Sequence, residues 1–252
     1  MLNTLFIGRQ LTILPESDST NSHAVSLLAE QEPPEGLAVL TYNQTQGRGQ
    51  REAKWESEPG KNITCSFVLR PTFLGIQQQF FLSMAVALAV YDTTNHFINK
   101  YGLTVKWPND IYFNDLKLAG ILIENTVKGT SLNYSVVGIG LNINQSAFSG
   151  IAANPTSLKM ITDDNFRLED VFFYLCSMLE KRYLQLKNNK LEIIKEEYID
   201  CLYRLGELHS FIVNGSAIYG TIQGVNNNGH LQLLTTTDGL HSYDLKEIKF
   251  VI

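Results

Sequence analysis

The sequence has few cysteines and no grouped metal ligands. Its 252 residues include three cysteines that lie far apart along the chain, at Cys65, Cys176 and Cys201. The five histidines share no ligand spacing with them, whereas zinc sites and disulfide frameworks have recognisable spacings. We therefore expect neither a structural zinc site nor a disulfide framework.

Long apolar runs and net positive charge are also lacking. The longest apolar stretch, around residues 84–91, is far shorter than the roughly 20 residues that span a bilayer, and no basic-then-apolar leader opens the chain. The formal net charge is −5, which argues against a protein that coats phosphate backbones. We expect a cytoplasmic protein with no membrane segment and no DNA-binding role, in which any anion site is a local exception.

Up to about residue 204, the chain alternates between predicted helices and strands. Polar residues at 18–21 offer N-caps for a helix, and an apolar segment at 77–98 predicts a buried helix that a glycine, Gly102, stops. Two further helices are predicted at about 168–187 and 190–204. The predicted strands lie at 36–43, 63–70, 103–107, 111–113, 117–125 and 134–144.

The pattern changes at Gly206. From there on, short β-rich runs are separated by turn signals at Asn214-Gly215, residues 226–229 and Asp238-Gly239. The sequence therefore predicts an α+β fold in which residues 1–204 form a mixed or antiparallel sheet with packed helices. Residues 205–252 are predicted to form a small SH3-like β-barrel.

The long polar loop between the first two predicted strands combines glycine with positive charge. Gly47 and Gly49 allow close backbone approach, while Arg48, Arg51 and Lys54 concentrate charge in an otherwise acidic chain. Such a loop can wrap an anion, and a solvated, mobile surface loop is the other interpretation of the same residues. The pattern is neither a Walker loop nor a dinucleotide fingerprint.

Four sequence blocks, read together, resemble the biotin–protein ligase (biotin–[acetyl-CoA carboxylase] ligase) family. They are STN at 19–21, QTQGRGQREAKW at 44–55, KWPNDIYFNDLKLAGILIE at 106–124 and GIGLNIN at 138–144. Four blocks in the right order form a more specific signal than any one of them. The resemblance covers about residues 12–144 by motif and the remainder by architecture, and it implies a class II synthetase-like catalytic domain.

The resemblance implies a two-step reaction. Biotin and ATP, with Mg²⁺, give biotinyl-5′-AMP and pyrophosphate, and a lysine amine of a biotin carboxyl carrier domain then takes the biotinyl group. Because a carboxylate must attack the phosphate of another anion, cations are needed around the reacting atoms. Arg48 and Lys117 are the candidate catalytic cations. The loop at 47–55 is expected to order over the water-sensitive anhydride.

The resemblance also implies the binding residues. Its biotin contacts fall on Ser19, Thr20, Asn21, Gln44, Gly47, Arg48, Gly49, Gln50 and Lys117. Its adenylate contacts fall on Arg48, Arg51, Trp55 and Asn142, with Trp55 closing over the ligand as an apolar lid. Asp110 is expected either to hold Mg²⁺ through water or to cap the local backbone.

Several of these residues also have a purely structural interpretation. Residues 19–21 can act only as a helix cap, Gln44 as a strand-end amide, and Asn142 as a partner for a neighbouring strand end. Lys117 can extend from its strand end to solvent. For Trp107 we prefer the interpretation of a core aromatic.

The chain departs from the family pattern directly after G-R-G. Many members carry a second arginine there, whereas this chain has Gln50 followed by Arg51. At this position a charge-assisted contact becomes a neutral one unless Arg51 takes over the role. Without that charge we expect the adenylate to be retained less well. The S-T-N block begins at residue 19, so we expect no winged helix-turn-helix before it and no direct repression of transcription.

Other functions stay open at this point. Lipoate–protein ligases and octanoyltransferases resemble biotin ligases in fold and share a lysine at a similar place, although the S-T-N, G-R-G and W-P-N-D combination favours biotin. A non-catalytic module that binds peptide or nucleic acid through its C-terminal β-domain is the alternative of another class. The acceptor protein and the choice between monomer and homodimer stay open, and exposed strand edges would allow a sheet-extending homodimer.

Overall fold

A computed structural model of the protein describes residues 2–50, 53–150 and 154–251. Within these ranges the first sheet has the strand order β1-β2-β3-β7-β6-β5-β4. β1 runs parallel to β2, and the other neighbouring strands are antiparallel, so the sheet is mixed, which is one of the two arrangements that the sequence predicts. The strands are β1 (Leu11–Leu14), β2 (Ala38–Thr41), β3 (Ile63–Leu69), β4 (Leu103–Lys106), β5 (Asp110–Phe113), β6 (Leu116–Lys128) and β7 (Ser131–Leu141).

Helices cover both faces of this sheet. They are α1 (Thr20–Glu30), α2 (Gln79–Ile98), α3 (Leu158–Thr162), α4 (Leu168–Lys187) and α5 (Leu191–Asp200). Successive side chains of a strand point to opposite faces: Cys65 and Phe67 of β3 join the main apolar core with α2 and α4, whereas Ser66 contacts α1. In the described part of the chain, no helix combines the length and apolarity needed to cross a membrane.

The predicted helices near the end of the first unit lie close to the observed ones. The helix predicted at 168–187 is α4, with the same bounds. The helix predicted at 190–204 is α5, which is shorter at its C-terminal end. It stops early because the next residues run beside β4: Val105 N–H donates to Cys201 O at 2.7 Å, and Tyr203 N–H donates to Val105 O at 2.9 Å.

α2 ends at an asparagine, not at the glycine that the sequence predicts. Asn99 caps the helix in the left-handed conformation, with φ of 46°, and its N–H donates to Asn95 O at 2.9 Å. Asparagine adopts this conformation more readily than most residues because its side chain can hydrogen-bond locally. Gly102 lies in the turn that follows, where φ of 112° favours glycine.

The sequence pattern does not predict β1 and α3. β1 has four residues and α3 has five, so neither is long enough to show a clear apolar period. α3 is capped by Ser157, whose Oγ accepts the N–H of Met160 at 3.2 Å. β1 matters for the architecture because it adds a parallel strand at one edge of the sheet.

A second, antiparallel sheet follows the helices, with the order β11-β10-β9-β8-β12. Its strands are β8 (Leu208–Val213), β9 (Ser216–Val225), β10 (Leu231–Thr235), β11 (Gly239–Tyr243) and β12 (Ile248–Phe250). Among the described residues, β11 and β12 form no ladder with each other, so this sheet is open where the sequence predicts a closed barrel. The overall class is α+β, as predicted.

The two sheets share one apolar core. Phe211, Ile222 and Leu233 of the second sheet belong to the same cluster of buried residues as α2. Trp107 is buried, and its Nε1–H donates to Gly229 O at 2.9 Å. The interpretation of Trp107 as a core aromatic is therefore confirmed, and its hydrogen bond ties the first sheet to a turn of the second.

Candidate active site

A cavity of about 350 Å³ lies on the face of the first sheet that carries α1. Its lining comes from the start of α1, the loop after β2, the turn between β4 and β5, the strands β6 and β7, and β12. These segments are far apart in sequence. All four motif blocks nevertheless contribute to this one cavity, which is the usual arrangement of a ligand site.

The S-T-N block both caps α1 and lines the cavity. Ser19 Oγ accepts the N–H of Ser22 at 3.4 Å, so the helix-cap interpretation is confirmed. Thr20 Oγ1 and Asn21 Oδ1 lie 2.7 Å and 2.6 Å from Ser66 Oγ on β3. The block lines the cavity as well, so capping and ligand contact do not exclude each other.

The Asn21 amide is fixed against the sheet. Its Nδ2–H donates to Glu124 Oε2 at 2.7 Å and to Leu122 O at 3.4 Å. It lies against Gly138, where an added side chain would overlap the amide. Glycine at this position therefore permits the close approach of α1 to β7.

Gln44 and Arg48 hold the loop after β2 against α1. Gln44 Oε1 accepts the N–H of Thr20 at 3.0 Å. Arg48 Nη2 donates to Ser22 Oγ at 3.0 Å and lies 3.7 Å from Glu124 Oε2. Because half of the Arg48 side chain is exposed, its guanidinium remains accessible to an anion in the cavity.

The loop between Gly47 and Trp55 closes on itself. Gly49 N–H donates to Ala53 O at 2.6 Å, and Trp55 N–H donates to Gly47 O at 2.9 Å. A side chain at Gly47 would overlap the carbonyl of Trp55. The first glycine of G-R-G is therefore required by the backbone packing of the loop itself.

The structure describes some, but not all, of the residues that follow G-R-G. Gln50 lines the cavity beside Gly49 and Ala53, at the place where many members of the family carry a second arginine. Arg51 lies outside the described residues, and its contact with the adenylate stays a prediction. Lys54 lines the same cavity and brings a positive charge from this loop.

Trp55 lies across the sheet inside the cavity. Its indole contacts Gly120 and Gly140, which face each other on β6 and β7. Its Nε1–H is buried and has no acceptor among the described residues, an arrangement that costs free energy unless a ligand or water accepts the bond. The indole thus covers a strip of glycine backbone in the wall of the cavity.

Lys117 forms an ion pair at the wall of the cavity. Its Nζ lies 2.8 Å from Asp110 Oδ1, and 26% of the Lys117 side chain and 16% of the Asp110 side chain are exposed. The two residues belong to the neighbouring strands β6 and β5. The lysine side chain therefore points into the cavity instead of extending into bulk solvent.

The surroundings of Asp110 do not form a metal site. Among the described residues, no three His, Cys, Asp or Glu side chains come together in a way that could hold a metal ion. The Asp110 carboxylate is already paired with Lys117. These residues do not fit a metal held by the protein alone, and an ion would have to enter with the phosphates of a ligand.

The cavity is positively charged although the chain has a net charge of −5. Its described lining contains five cationic side chains and one carboxylate: Arg48, Lys54, Lys106, Lys117, Lys249 and Asp110. An excess of one sign in a cleft with low-dielectric walls concentrates the opposite charge. The cavity is therefore a local concentration of positive charge in an otherwise acidic chain.

Lys106 lines this cavity although sequence reasoning does not select it. Burial lowers its pKa, Asp110 opposes that shift, and neighbouring cations, including Lys117, add to it. Its Nζ lies 4.7 Å from the ring centroid of Phe250 and 5.4 Å from that of Tyr112. The signal that could have found it is its place directly before the W-P-N-D segment.

Asn142 lies beside the cavity and is not part of its lining. It is buried, its Nδ2–H donates to Thr156 O at 2.9 Å, and its backbone N–H donates to Leu118 O at 3.1 Å. Its Oδ1 has no partner among the described residues. The contacts favour the structural interpretation, in which Asn142 joins strand ends, and its adenylate contact stays a prediction.

The chain is similar to known ligases. The model of the biotin/lipoate A/B protein ligase family matches residues 14–142. Bifunctional ligase/repressor BirA of Bacillus spizizenii is 30% identical over 246 residues, which are 95% of this chain and 73% of that protein. Biotin–[acetyl-CoA-carboxylase] ligase of Paracoccus denitrificans is 30% identical over 230 residues, which are 88% of this chain and 92% of that protein.

Solved structures show the same similarity. Biotin protein ligase from Aquifex aeolicus in complex with biotin and ATP aligns with 96% of this chain and 100% of its own, with a TM-score of 0.80 and 26% identity. The family match spans the region that contains S-T-N, G-R-G, W-P-N-D and K-L-A-G. On these grounds the chain belongs to the biotin/lipoate A/B protein ligase family.

Proposed function

We propose that this protein is an ATP-dependent biotin–protein ligase that acts on a biotin carboxyl carrier domain. It joins biotin to ATP to give biotinyl-5′-AMP and pyrophosphate, and it then transfers the biotinyl group to a lysine of the carrier, releasing AMP. The names of its relatives support the choice of biotin, as does the Aquifex aeolicus structure with biotin and ATP.

The observation that carries the proposal is the convergence of separate motifs around one cationic cavity. The S-T-N block, the Gly47–Trp55 loop and the Lys117–Asp110 pair all line it. Two anions, a carboxylate and a triphosphate, must meet for biotin to be activated. A site with fixed positive charges reduces their repulsion and stabilises the charge of the transition state.

In the first step, a carboxylate oxygen of biotin attacks the α-phosphorus of ATP. The bond from that phosphorus to the bridging oxygen of pyrophosphate breaks, and the electron pair leaves with pyrophosphate. Lys117 and Arg48 would stabilise the negative charge on the phosphate oxygens in the transition state. Asp110 holds the Lys117 ammonium at the cavity wall before the ligand arrives.

In the second step, the lysine amine of the carrier attacks the biotinyl carbonyl carbon. The bond between that carbon and the phosphate oxygen breaks, AMP leaves, and the nitrogen loses a proton. The loop from Gly47 to Trp55 would cover the mixed anhydride against water. Besides Arg48 and Lys117, the proposed biotin contacts are Ser19, Thr20, Asn21, Gln44, Gly47, Gly49 and Gln50, and the proposed adenylate contacts are Arg51, Trp55 and Asn142.

Mg²⁺ is proposed only as an ion bound to the phosphates of ATP. It would neutralise part of the triphosphate charge, and it would reach Asp110 only through water or substrate. The protein's own contribution to the step is then the positioning of the two substrates and of the cations Arg48 and Lys117 around the reacting atoms.

Architecture, location and assembly add further proposals. We propose that residues 1–204 form a class II synthetase-like catalytic domain and residues 205–252 an SH3-like domain; the change from helices to short strands after α5 supports this division. We also propose that the protein works in the cytoplasm without binding DNA, which its net negative charge supports. Pairing of two copies along the edge strand β1 would give a homodimer.

A thermal-shift comparison distinguishes the proposed function from two alternatives. Within the family, a lipoate or octanoate ligase or transferase is the alternative, and outside it a non-catalytic peptide- or nucleic-acid-binding module. We expect biotin with ATP to raise the melting temperature, since a ligand that binds only the folded state stabilises it. A larger shift with lipoate or octanoate would select the other acyl group, and a shift with RNA alone would select the binding module.

A further inference from the structure

The C-terminal sheet brings an aromatic ring to the cavity, next to the ammonium of Lys106. Lys106 is the last residue of β4, and Phe250 is the last residue of β12. Lys106 Nζ lies 4.7 Å from the ring centroid of Phe250 and 5.4 Å from that of Tyr112. Both distances are within the roughly 6 Å of a cation–π interaction, so rings from both sheets hold this ammonium.

Lys106 differs from Lys117 in its electrostatic partner. Lys117 Nζ is paired with Asp110 at 2.8 Å. In the described parts of the chain, the Lys106 ammonium forms no ion pair within 4.0 Å and no hydrogen bond. It packs against the two rings, and Asp110, which faces Lys106 in the ladder between β4 and β5 and is paired with Lys117, stabilises its charge only from a longer distance. A largely buried ammonium without an acceptor is costly. The Lys106 end of the cavity therefore favours an incoming anion.

The ring of Phe250 is itself held by the core of the second sheet. Its centroid lies 5.3 Å from that of Phe211, at an interplanar angle of 69°, and 6.2 Å from that of Tyr203. Phe211 is fully buried and faces Phe250 in the ladder between β8 and β12. Phe250 is therefore a fixed element against which the flexible side chain of Lys106 can be oriented.

The topology places Lys106 at the end of the cavity away from α1. α1 contacts β2, β3 and β7, whereas β4 forms the opposite edge of the sheet. Lys249 of β12 also lines the cavity. In the proposed reaction, biotin occupies the α1 end. Since attacking and leaving oxygens lie roughly in line at the phosphorus, the pyrophosphate group points away from biotin, towards Lys106.

We propose that Lys106 binds the phosphate groups that leave as pyrophosphate, and that Phe250 is a positioning residue that holds its ammonium from the C-terminal sheet. This inference rests on the proposed ligase function and gives the C-terminal sheet a part in ATP binding. Burial lowers the pKa of Lys106 in the free protein. A bound phosphate would favour the charged form and reverse that effect.

Biotin-dependent exchange of labelled pyrophosphate into ATP tests the inference. Lys106→Met is expected to raise the KM for pyrophosphate about tenfold or more, because charge-assisted contacts are lost. Phe250→Leu keeps an apolar side chain without a ring and is expected to raise it roughly threefold. Phe250→Tyr keeps the ring and should stay near wild type. The KM for biotin should change less than about twofold in each variant. Lys128→Met, which removes an exposed lysine of the first sheet, is the matched control for Lys106→Met.

A double variant separates positioning from a purely structural role. If Phe250 acts through Lys106, Phe250→Leu adds no further increase in KM for pyrophosphate in the Lys106→Met background. An equal increase in both backgrounds would overturn the positioning role. A KM for pyrophosphate that Lys106→Met leaves unchanged would overturn the whole inference.

Calorimetric titration of the ligand-free proteins with magnesium pyrophosphate separates this inference from the proposed function. Binding that weakens in Lys106→Met and Phe250→Leu, and not in Lys128→Met, supports the site without requiring catalysis. Equal binding by all four proteins contradicts it. If the wild-type protein shows no biotin-dependent exchange, the ligase proposal fails, while the titration still decides whether Lys106 binds pyrophosphate.

Discussion

Lys117 and Asp110 form an ion pair between β6 and β5, with Nζ 2.8 Å from Oδ1. Most of both side chains is withdrawn from solvent, so removing one partner leaves the other charge without its ion-pair partner. The pair therefore has two consequences that can be measured separately. One is the stability of the free protein, and the other is the rate of adenylation.

Lys117→Met is expected to lower kcat for biotin-dependent pyrophosphate exchange by roughly 10²-fold or more, because the charge acts mainly in the transition state. Transfer from preformed biotinyl-AMP should be less impaired.

The unpaired Asp110 carboxylate of Lys117→Met should also lower the free energy of unfolding by about 1–3 kcal/mol, which urea denaturation measures. In the double variant Lys117→Met, Asp110→Asn, stability should largely return while the rate stays low. A double variant with restored exchange would assign no catalytic role to the ammonium.

The loop from Gly47 to Trp55 should become protected when biotinyl-AMP binds. We expect its glycines and positive charges to favour local opening until an anion binds, although Gly49 N–H and Trp55 N–H are hydrogen-bonded within it. Hydrogen exchange of the loop amides, with and without biotinyl-AMP, measures this effect. The control is the turn at Asn214-Gly215, which is remote from the ligand. Equal exchange of the loop in both states would argue against its role as a lid.

The fluorescence of Trp55 should depend on the glycine strip against which its indole packs. A methyl group at Gly140 would overlap the indole, so Gly140→Ala should displace the ring into water and shift its fluorescence to longer wavelength. Because the chain has two tryptophans, the measurement uses a Trp107→Phe background. Gly75→Ala is the control, since an added methyl group there meets no atom closer than 3.8 Å. Unchanged emission in Gly140→Ala would show that the indole does not rest on this strip.

Because of Lys106, the stability of the folded protein should vary with pH in the alkaline range. Burial lowers its pKa below the ordinary value of 10.5, so the folded state carries the full cost of the charge at every pH below that lowered pKa. Between the two pKa values the unfolded chain binds more protons, and stability rises with pH. Lys106→Met should therefore raise Tm of the ligand-free protein at pH 7, by an amount that shrinks as the pH approaches 10.5. Thermal unfolding at several pH values measures this. Two results would contradict a buried, charged Lys106: a Tm difference between Lys106→Met and wild type that grows with pH, or a Tm increase no larger than that of Lys128→Met.

Elements with long repeating patterns can be predicted from this sequence. α4 has twenty residues with an apolar face, and such a pattern determines its bounds without reference to the rest of the chain. The turn at Asn214-Gly215 joins β8 to β9, and both residues have positive φ, as the dipeptide predicts. The short elements β1 and α3 lack such a pattern.

Contacts between distant segments cannot be predicted in this way. Glu180 on α4 accepts backbone N–H groups of Leu5, Phe6 and Ile7 at 2.6, 2.8 and 3.1 Å, and nothing in the local sequence marks a carboxylate for that role. The contact between Lys106 and Phe250 likewise depends on how the two sheets pack. Sequence blocks can indicate which residues carry the chemistry, but their partners are set by strand register and tertiary packing.

The central claim is that the cationic cavity activates biotin, and the most direct test is exchange of labelled pyrophosphate into ATP by the purified protein. We expect exchange that requires biotin, that lipoate and octanoate do not support, and that Lys117→Met reduces by roughly 10²-fold or more. Exchange that proceeds equally well with lipoate, or near-normal biotin-dependent exchange by Lys117→Met, would contradict the claim.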